Sequence, residues 1–172
     1  MTLPTAFHAA LTRHSVEGTG HCLFVNVAEQ TLTHFFNGET EVFTVSTAIN
    51  GTGQEMSSFK TPLGLHEIAE KIGDGEPVGT VFEGCKPVRT NGKGDPEALI
   101  TDRILWLRGL EPGHNAGSTV DSYRRYIYIH GVGDESRLGQ PNSQGCIHLA
   151  ANDLLPLFEQ LPVGYPVFIS EN

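Results

Sequence analysis

The dipeptide Asn37-Gly38 separates two stretches in which apolar residues alternate, Leu32 to Phe36 before it and Val42, Phe43 and Val45 after it. Asparagine and glycine both tolerate the positive φ of a type I′ turn, whose twist matches that of antiparallel strands, so this stretch predicts a tight hairpin. Just upstream, Leu23, Val25 and Val27 alternate with their neighbours in the pattern of a half-buried strand. Three successive strands commit the chain to a sheet, and the remaining segments must complete it.

Further strands are predicted at Leu65 to Ile68, Tyr123 to His130 and Pro166 to Ile169. Leu99 to Leu107 reads as another, although its apolar run also suits a buried helical turn. Ile49 to Lys60 is a polar loop leading into Thr61-Pro62-Leu63-Gly64. Ile72 to Pro96 is a long excursion rich in glycine, proline and charge, with one short strand at Val81-Phe82. A short helix is expected in the mixed N-terminal stretch. A second runs through Leu154, Leu157, Phe158 and Leu161, capped by Asn152 or Asp153, with Pro156 in or near its first turn. This balance predicts a mainly β fold, a sandwich or barrel-like domain with a few short helices, and 172 residues fit one domain spanning 1–172.

A net charge of -9 without any basic run argues against nucleic acid as a partner, and the pair Arg124-Arg125 reads as a solvated strand face. No stretch approaches the apolar length needed to span a bilayer. The opening residues lack the charged and apolar regions of a signal peptide, so a cytoplasmic location is expected, or a periplasmic one if export follows another route. The three cysteines, Cys22, Cys85 and Cys146, are odd in number and widely spaced, which suits reduced thiols.

Cys22 and Cys85 read as incidental or buried thiols. Cys146 differs, because Ser143-Gln144-Gly145 precede it in a turn where successive backbone N–H groups can converge. A free thiol is mostly protonated at neutral pH and needs an imidazole to become a nucleophile. His148 is nearest in sequence and would share a face with Cys146 in a strand. If the chain turns into a helix at Cys146, however, positions two apart diverge. His130 closes a predicted strand and is followed by Gly131 and a polar loop able to return the chain to Cys146, so the pattern favours His130. Gly145 and Cys146 N–H groups are the candidate oxyanion donors. The histidines at 8, 14, 21, 34, 66 and 114 read as surface or hydrogen-bonded residues. No zinc-type Cys or His spacing is present, so neither a metal nor another cofactor is expected.

His130-Gly131, followed after a polar loop by Ser143-Gln144-Gly145-Cys146-Ile147, resembles the active-site signature of the L,D-transpeptidase catalytic domain family. The resemblance extends to Val45-Ser46-Thr47, Lys60-Thr61-Pro62-Leu63-Gly64 and Ile104-Leu105-Trp106-Leu107, covering about residues 22–170. It implies a β-sandwich of mixed sheets with short helices, and acyl transfer on peptidoglycan stem peptides. In that chemistry a cysteine attacks the carbonyl of the L-centre of diaminopimelate and expels the terminal D-Ala. An amine of a second stem then gives a cross-link, or water gives L,D-carboxypeptidase activity. Carried over by position, Cys146 is the nucleophile, His130 the base, Gly131 the carbonyl that orients it, and Gly145 with Cys146 the oxyanion hole. Ser143, Gln144 and His148 would contact substrate. Gln144 stands where the family usually has histidine, and His148 where arginine is common. A cytoplasmic enzyme would meet soluble muropeptides from wall turnover, which makes carboxypeptidase action in recycling the main rival to cross-linking. The same residues would also suit an inactive wall-peptide binding module or a metal-assisted hydrolase.

Overall fold

The computed structural model describes residues 3–16 and 21–172; residues 1–2 and 17–20, part of the mixed N-terminal stretch, lie outside the described residues. Helix α1 (Thr5–Arg13) precedes strands β1 (His21–Asn26), β2 (Thr31–Phe36), β3 (Glu39–Ser46), β4 (Gly64–Ile72), β5 (Val81–Glu83), β6 (Lys86–Arg89), β7 (Thr101–Gly109), β8 (Tyr128–Gly131) and β9 (Ile147–Leu149). Helix α2 (Ala151–Gln160) and strand β10 (Pro166–Ser170) follow. The strands form one mixed sheet in the order β4-β10-β1-β2-β3-β9-β8-β7-β5-β6, and β4 also pairs with β7. The mainly β fold is as expected, with the sheet closing on itself like a barrel and the β5–β6 hairpin projecting from it. β1 with β10 and β8 with β9 are parallel, and the other neighbours are antiparallel.

Local chemistry accounts for the hairpin. Asn37 and Gly38 sit at φ 48° and 83°, as a type I′ turn requires, and Phe36 faces Glu39 across it. Leu23, Val25, Leu32, Leu107, Ile129 and Ile147 point into the ring, where Leu154, Leu157 and Phe158 of α2 fill the space. On the outer face, Phe7 and Leu11 of α1 cover Phe24, Leu65 and Phe168, with the Phe7 and Phe168 rings stacked at 5.1 Å. Strand β1 is thus buried on both faces across Cys22 to Val25, which masks its alternation. Each large side chain buried here contributes about 1.5–3 kcal/mol.

Several expectations are corrected. The 72–96 excursion holds two strands, because β6 (KPVR) is exposed and has no apolar alternation to announce it. The Tyr123–His130 strand shrinks to Tyr128–Gly131, since the Asp121 carboxylate accepts from Arg124 N–H and turns the chain before it. Asn152 and Asp153 do not cap α2. Ala150 occupies that place, and the Ala151 N–H donates at 2.7 Å to Glu135, so the cap comes from a distant loop. Pro156 lies inside the helix beyond its first turn. A strand, not a helix, follows Cys146.

His34 is neither exposed nor satisfied. It is fully buried on β2 against Phe36, and neither ring nitrogen has a hydrogen-bond partner among the described residues. His66 is equally buried but donates from Nδ1 to the Gly64 carbonyl and accepts at Nε2 from the Ser122 hydroxyl. A buried polar group without partners costs about 1–3 kcal/mol. His34→Leu should therefore raise the urea midpoint by a comparable stability with an unchanged m-value, and a lower midpoint would refute the assignment.

Candidate active site

The parallel pairing of β8 with β9 sets Ile129 beside Ile147 and His130 beside His148. Both isoleucines point into the core, so strand alternation turns Tyr128, His130, Cys146 and His148 to the opposite side, where they line a cavity of about 1020 Å³. The two imidazoles meet edge to face with centroids 4.9 Å apart. Because β9 is a strand, Cys146 and His148 do share a face, which removes the sequence-based objection to His148.

What distinguishes the imidazoles is anchoring. His130 Nδ1–H donates to the Gly131 carbonyl at 2.8 Å, which leaves Nε2 as an acceptor. Burial pushes its pKa down to about 4, so it is a neutral base at rest. His148 Nδ1 is buried without a hydrogen-bond partner among the described residues, and burial together with His130 lowers its pKa to about 3. Gly131 must be glycine, because a Cβ there would lie 2.7 Å from the Asp102 carboxylate and 2.8 Å from the Thr101 carbonyl.

The turn before Cys146 is tied from both sides. Ser143 Oγ donates to the Cys146 carbonyl at 2.5 Å and accepts from Gly145 N–H at 3.1 Å. Ser143 lines the cavity, but its hydroxyl is engaged within the turn and not offered to substrate. The expected oxyanion donor Gly145 N–H is likewise engaged, while among the described residues Cys146 N–H takes no part in the turn hydrogen bonds. Thr61 Oγ1 donates to the Gly145 carbonyl at 3.0 Å, which gives the Lys60-Thr61-Pro62 segment its place behind the turn. Gly145 itself has φ 126°, a conformation side chains rarely adopt. Gln144 is exposed at the cavity wall.

The Cys146 sulfur contacts two backbone groups of the neighbouring segment. It accepts from Tyr128 N–H at 3.4 Å and donates to the Tyr126 carbonyl at 3.3 Å, and it bonds to neither imidazole. Burial pushes its pKa up to about 11 against the opposing pull of Tyr128 N–H and the Arg125 cation, so the resting thiol is protonated. Cys22 is buried with its pKa raised to about 12. Cys85, read as incidental, instead lines the same cavity, with its sulfur 3.2 Å from the Tyr128 hydroxyl. Among the described residues no three metal-binding side chains converge, and no helix is long and apolar enough to cross a membrane.

Residues 21–169 match the family model of the L,D-transpeptidase catalytic domain. The chain belongs to the L,D-transpeptidase catalytic-domain family. Its members are L,D-transpeptidases with a cysteine nucleophile. Solved structures show the same fold. L,D-transpeptidase 3 from Mycobacterium tuberculosis is 17% identical with a TM-score of 0.57, covering 88% of this chain and 61% of that one. An L,D-transpeptidase from Mycobacterium smegmatis is 18% identical with a TM-score of 0.54, covering 88% and 58%. A mutant L,D-transpeptidase from Enterococcus faecium is 14% identical with a TM-score of 0.54, covering 88% and 50%. The chain thus spans between 50% and 61% of the length of these three proteins. No curated protein sequence matches it.

This L,D-transpeptidase domain uses residues that sequence patterning missed. Arg125 is no solvated strand residue: it is half-buried and donates to the carbonyls of Gly53, Gln54 and Lys60 and to Ser58 Oγ. Trp106 stacks on Tyr123 at 4.4 Å and donates from Nε1 to its carbonyl, which steadies the segment that cradles the sulfur. Nothing in a sequence window announces either contact.

Proposed function

We propose that the domain is a cysteine acyltransferase acting on peptidoglycan stem tetrapeptides. It cleaves the L,D bond between diaminopimelate and the terminal D-Ala through a thioester on Cys146. The observation that carries this reading is the β8–β9 register, which puts the anchored neutral imidazole of His130 and the Cys146 thiol on one face of one cavity.

In the reaction, the thiol leaves the Tyr126 carbonyl and passes its proton to His130 Nε2 as sulfur attacks the diaminopimelate carbonyl. Cys146 N–H receives the oxyanion. When the intermediate collapses, the C–N bond breaks and the imidazolium proton goes to the departing D-Ala amine. The acceptor amine of a second stem then gives its proton to His130 as it displaces sulfur, forming the cross-link and restoring the thiol. Gln144 and His148 border the cavity and contact the bound peptide. Their replacement of a histidine and an arginine makes the peptide pocket less cationic than the family pattern implies. With water as the acceptor the same steps constitute an L,D-carboxypeptidase.

Incubation with free tetrapeptide and a second stem, followed by product separation and intact mass, tests the proposal. An acyl adduct on Cys146 with dimer accumulation is expected. Adduct with tripeptide alone would replace cross-linking by hydrolysis, and no adduct at all would leave a binding module. A faropenem-derived adduct is seen on the M. tuberculosis enzyme, so faropenem is a suitable second probe of the thiol.

A further inference from the structure

Arg125 stands at the junction between the nucleophile's surroundings and the 53–60 loop. Its guanidinium reaches back to Gly53 O at 3.1 Å, Gln54 O at 2.9 Å, Ser58 Oγ at 3.3 Å and Lys60 O at 2.6 Å. The loop it holds is strained, with Ser57 and Phe59 at φ 60° and 57°, a region that disfavours both residue types. Lys60 O, one of the four acceptors, also lies 3.3 Å from where a Gly145 Cβ would sit, so the loop backs directly onto the nucleophile turn. The next residue, Tyr126, supplies the carbonyl that accepts the Cys146 thiol.

All four partners are neutral oxygens, and among the described residues no carboxylate lies within ion-pair distance of Arg125; Glu55 acts on it only from farther away. A half-buried arginine is usually paired with an acid, because an uncompensated charge out of water is costly. Here the charge has no bonded acid, and it acts electrostatically on a sulfur that must become negative and that is held by the carbonyl of the next residue. The histidines, the phenol and the second cysteine around that sulfur offer no positive charge at rest. His130 and His148 are neutral, burial raises the Tyr128 phenol, and Cys85 is a free cysteine. Arg124, Arg137 and Asp134 line the same cavity, but Arg125 is the cation that acts on Cys146.

We propose that Arg125 is a positioning residue of the thiol site, whose guanidinium ties the 53–60 loop against the nucleophile turn and supplies the positive charge that favours the Cys146 thiolate. The two roles separate experimentally. Arg125→Lys loses the fork but keeps the charge, whereas Arg125→Gln loses both. The inference rests on Cys146 as the nucleophile, yet alkylation of its sulfur needs no catalysis. Failure of the functional reading would appear as no acyl adduct in the wild type, independently of the alkylation result.

The test is the rate of Cys146 alkylation by iodoacetamide in the folded chain at pH 8, read by mass spectrometry. Arg125→Gln is expected to react about tenfold more slowly than Arg125→Lys, the change produced by one pKa unit in the thiolate population. A loop that is merely loosened would expose the sulfur and speed both variants alike, so equal rates would overturn the proposal. If the Gln variant does not fold, a chain carrying Arg124→Gln and Arg137→Gln, which removes the other two arginines of the cavity, decides. A cation beside the sulfur raises the ratio of iodoacetate to iodoacetamide labelling at Cys146 above that of free cysteine, and an equal or lower ratio would refute it.

Discussion

His130→Gln should slow acyl-enzyme formation by about 10²–10⁴-fold, and Cys146→Ala should abolish it, while His148→Gln costs less than about tenfold. The asymmetry between the two histidines follows from their anchoring. His130 has its Nδ1 proton fixed on the Gly131 carbonyl, so its Nε2 lone pair is held ready for the thiol proton. Among the described residues His148 has no such anchor on its buried Nδ1, and its ring packs edge to face against His130. The resting pair is far from an ion pair, with the thiol near 11 and the imidazole near 4. Proton transfer before attack is therefore uphill, since burial keeps the thiol protonated and the imidazole neutral, and transfer accompanies attack on the bound carbonyl. Time-resolved intact mass after mixing with tetrapeptide measures the rate. A His148 variant as damaged as the His130 variant would remove His130 from its role.

Acid should unfold the protein well before its carboxylates are titrated. His34, His66 and His130 are buried with pKa values pushed down to about 4 by loss of solvent, and His148 to about 3. In the unfolded chain each imidazole takes a proton near pH 6.5, so between about 6.5 and 4 the unfolded state binds more protons than the folded one. Folding stability is therefore unaffected by these rings above 6.5 and falls as pH drops through that window, because folding then has to exclude a proton from each. At about 1.4 kcal/mol per pKa unit, each carries on the order of 3–5 kcal/mol, a large share of the 5–15 kcal/mol typical of a domain. Urea midpoints at pH 7.5, 6.5, 5.5 and 4.5 should fall steeply, and His34→Leu should flatten the decline by one proton. A midpoint constant across this range would contradict the burial of these rings.

Features with a local cause were legible in the sequence. Asn37-Gly38 needs only its own φ preferences to make a hairpin, and β10 reads as a strand from its apolar run alone. Cys146 and His130 stand out from the sequence pattern and Gly131 from the resemblance, and the structure brings the thiol and the imidazole to one cavity. What the sequence hid depends on distant partners. The cap of α2 comes from Glu135, and the partners of Arg125 lie 65 to 72 residues earlier in the chain. Tyr123 to Ile127 have strand-forming side chains, but the Asp121 carboxylate bends the backbone first. Gly145 N–H reads as free in the sequence, yet Ser143 Oγ holds it, a competition settled by geometry within four residues.

The closure of the sheet also sets an order of assembly. β10 follows every other strand in the chain, yet it is wedged between β4 and β1, pairing with both. Those two strands therefore present open hydrogen-bonding edges until the final strand arrives, and the ring cannot lock by growing outward from its first hairpin. β10 acts as the keystone of an arch: the N-terminal hairpin already leans on the thiol-site strands through β3 and β9, but its other flank, β1, meets β4 only through β10.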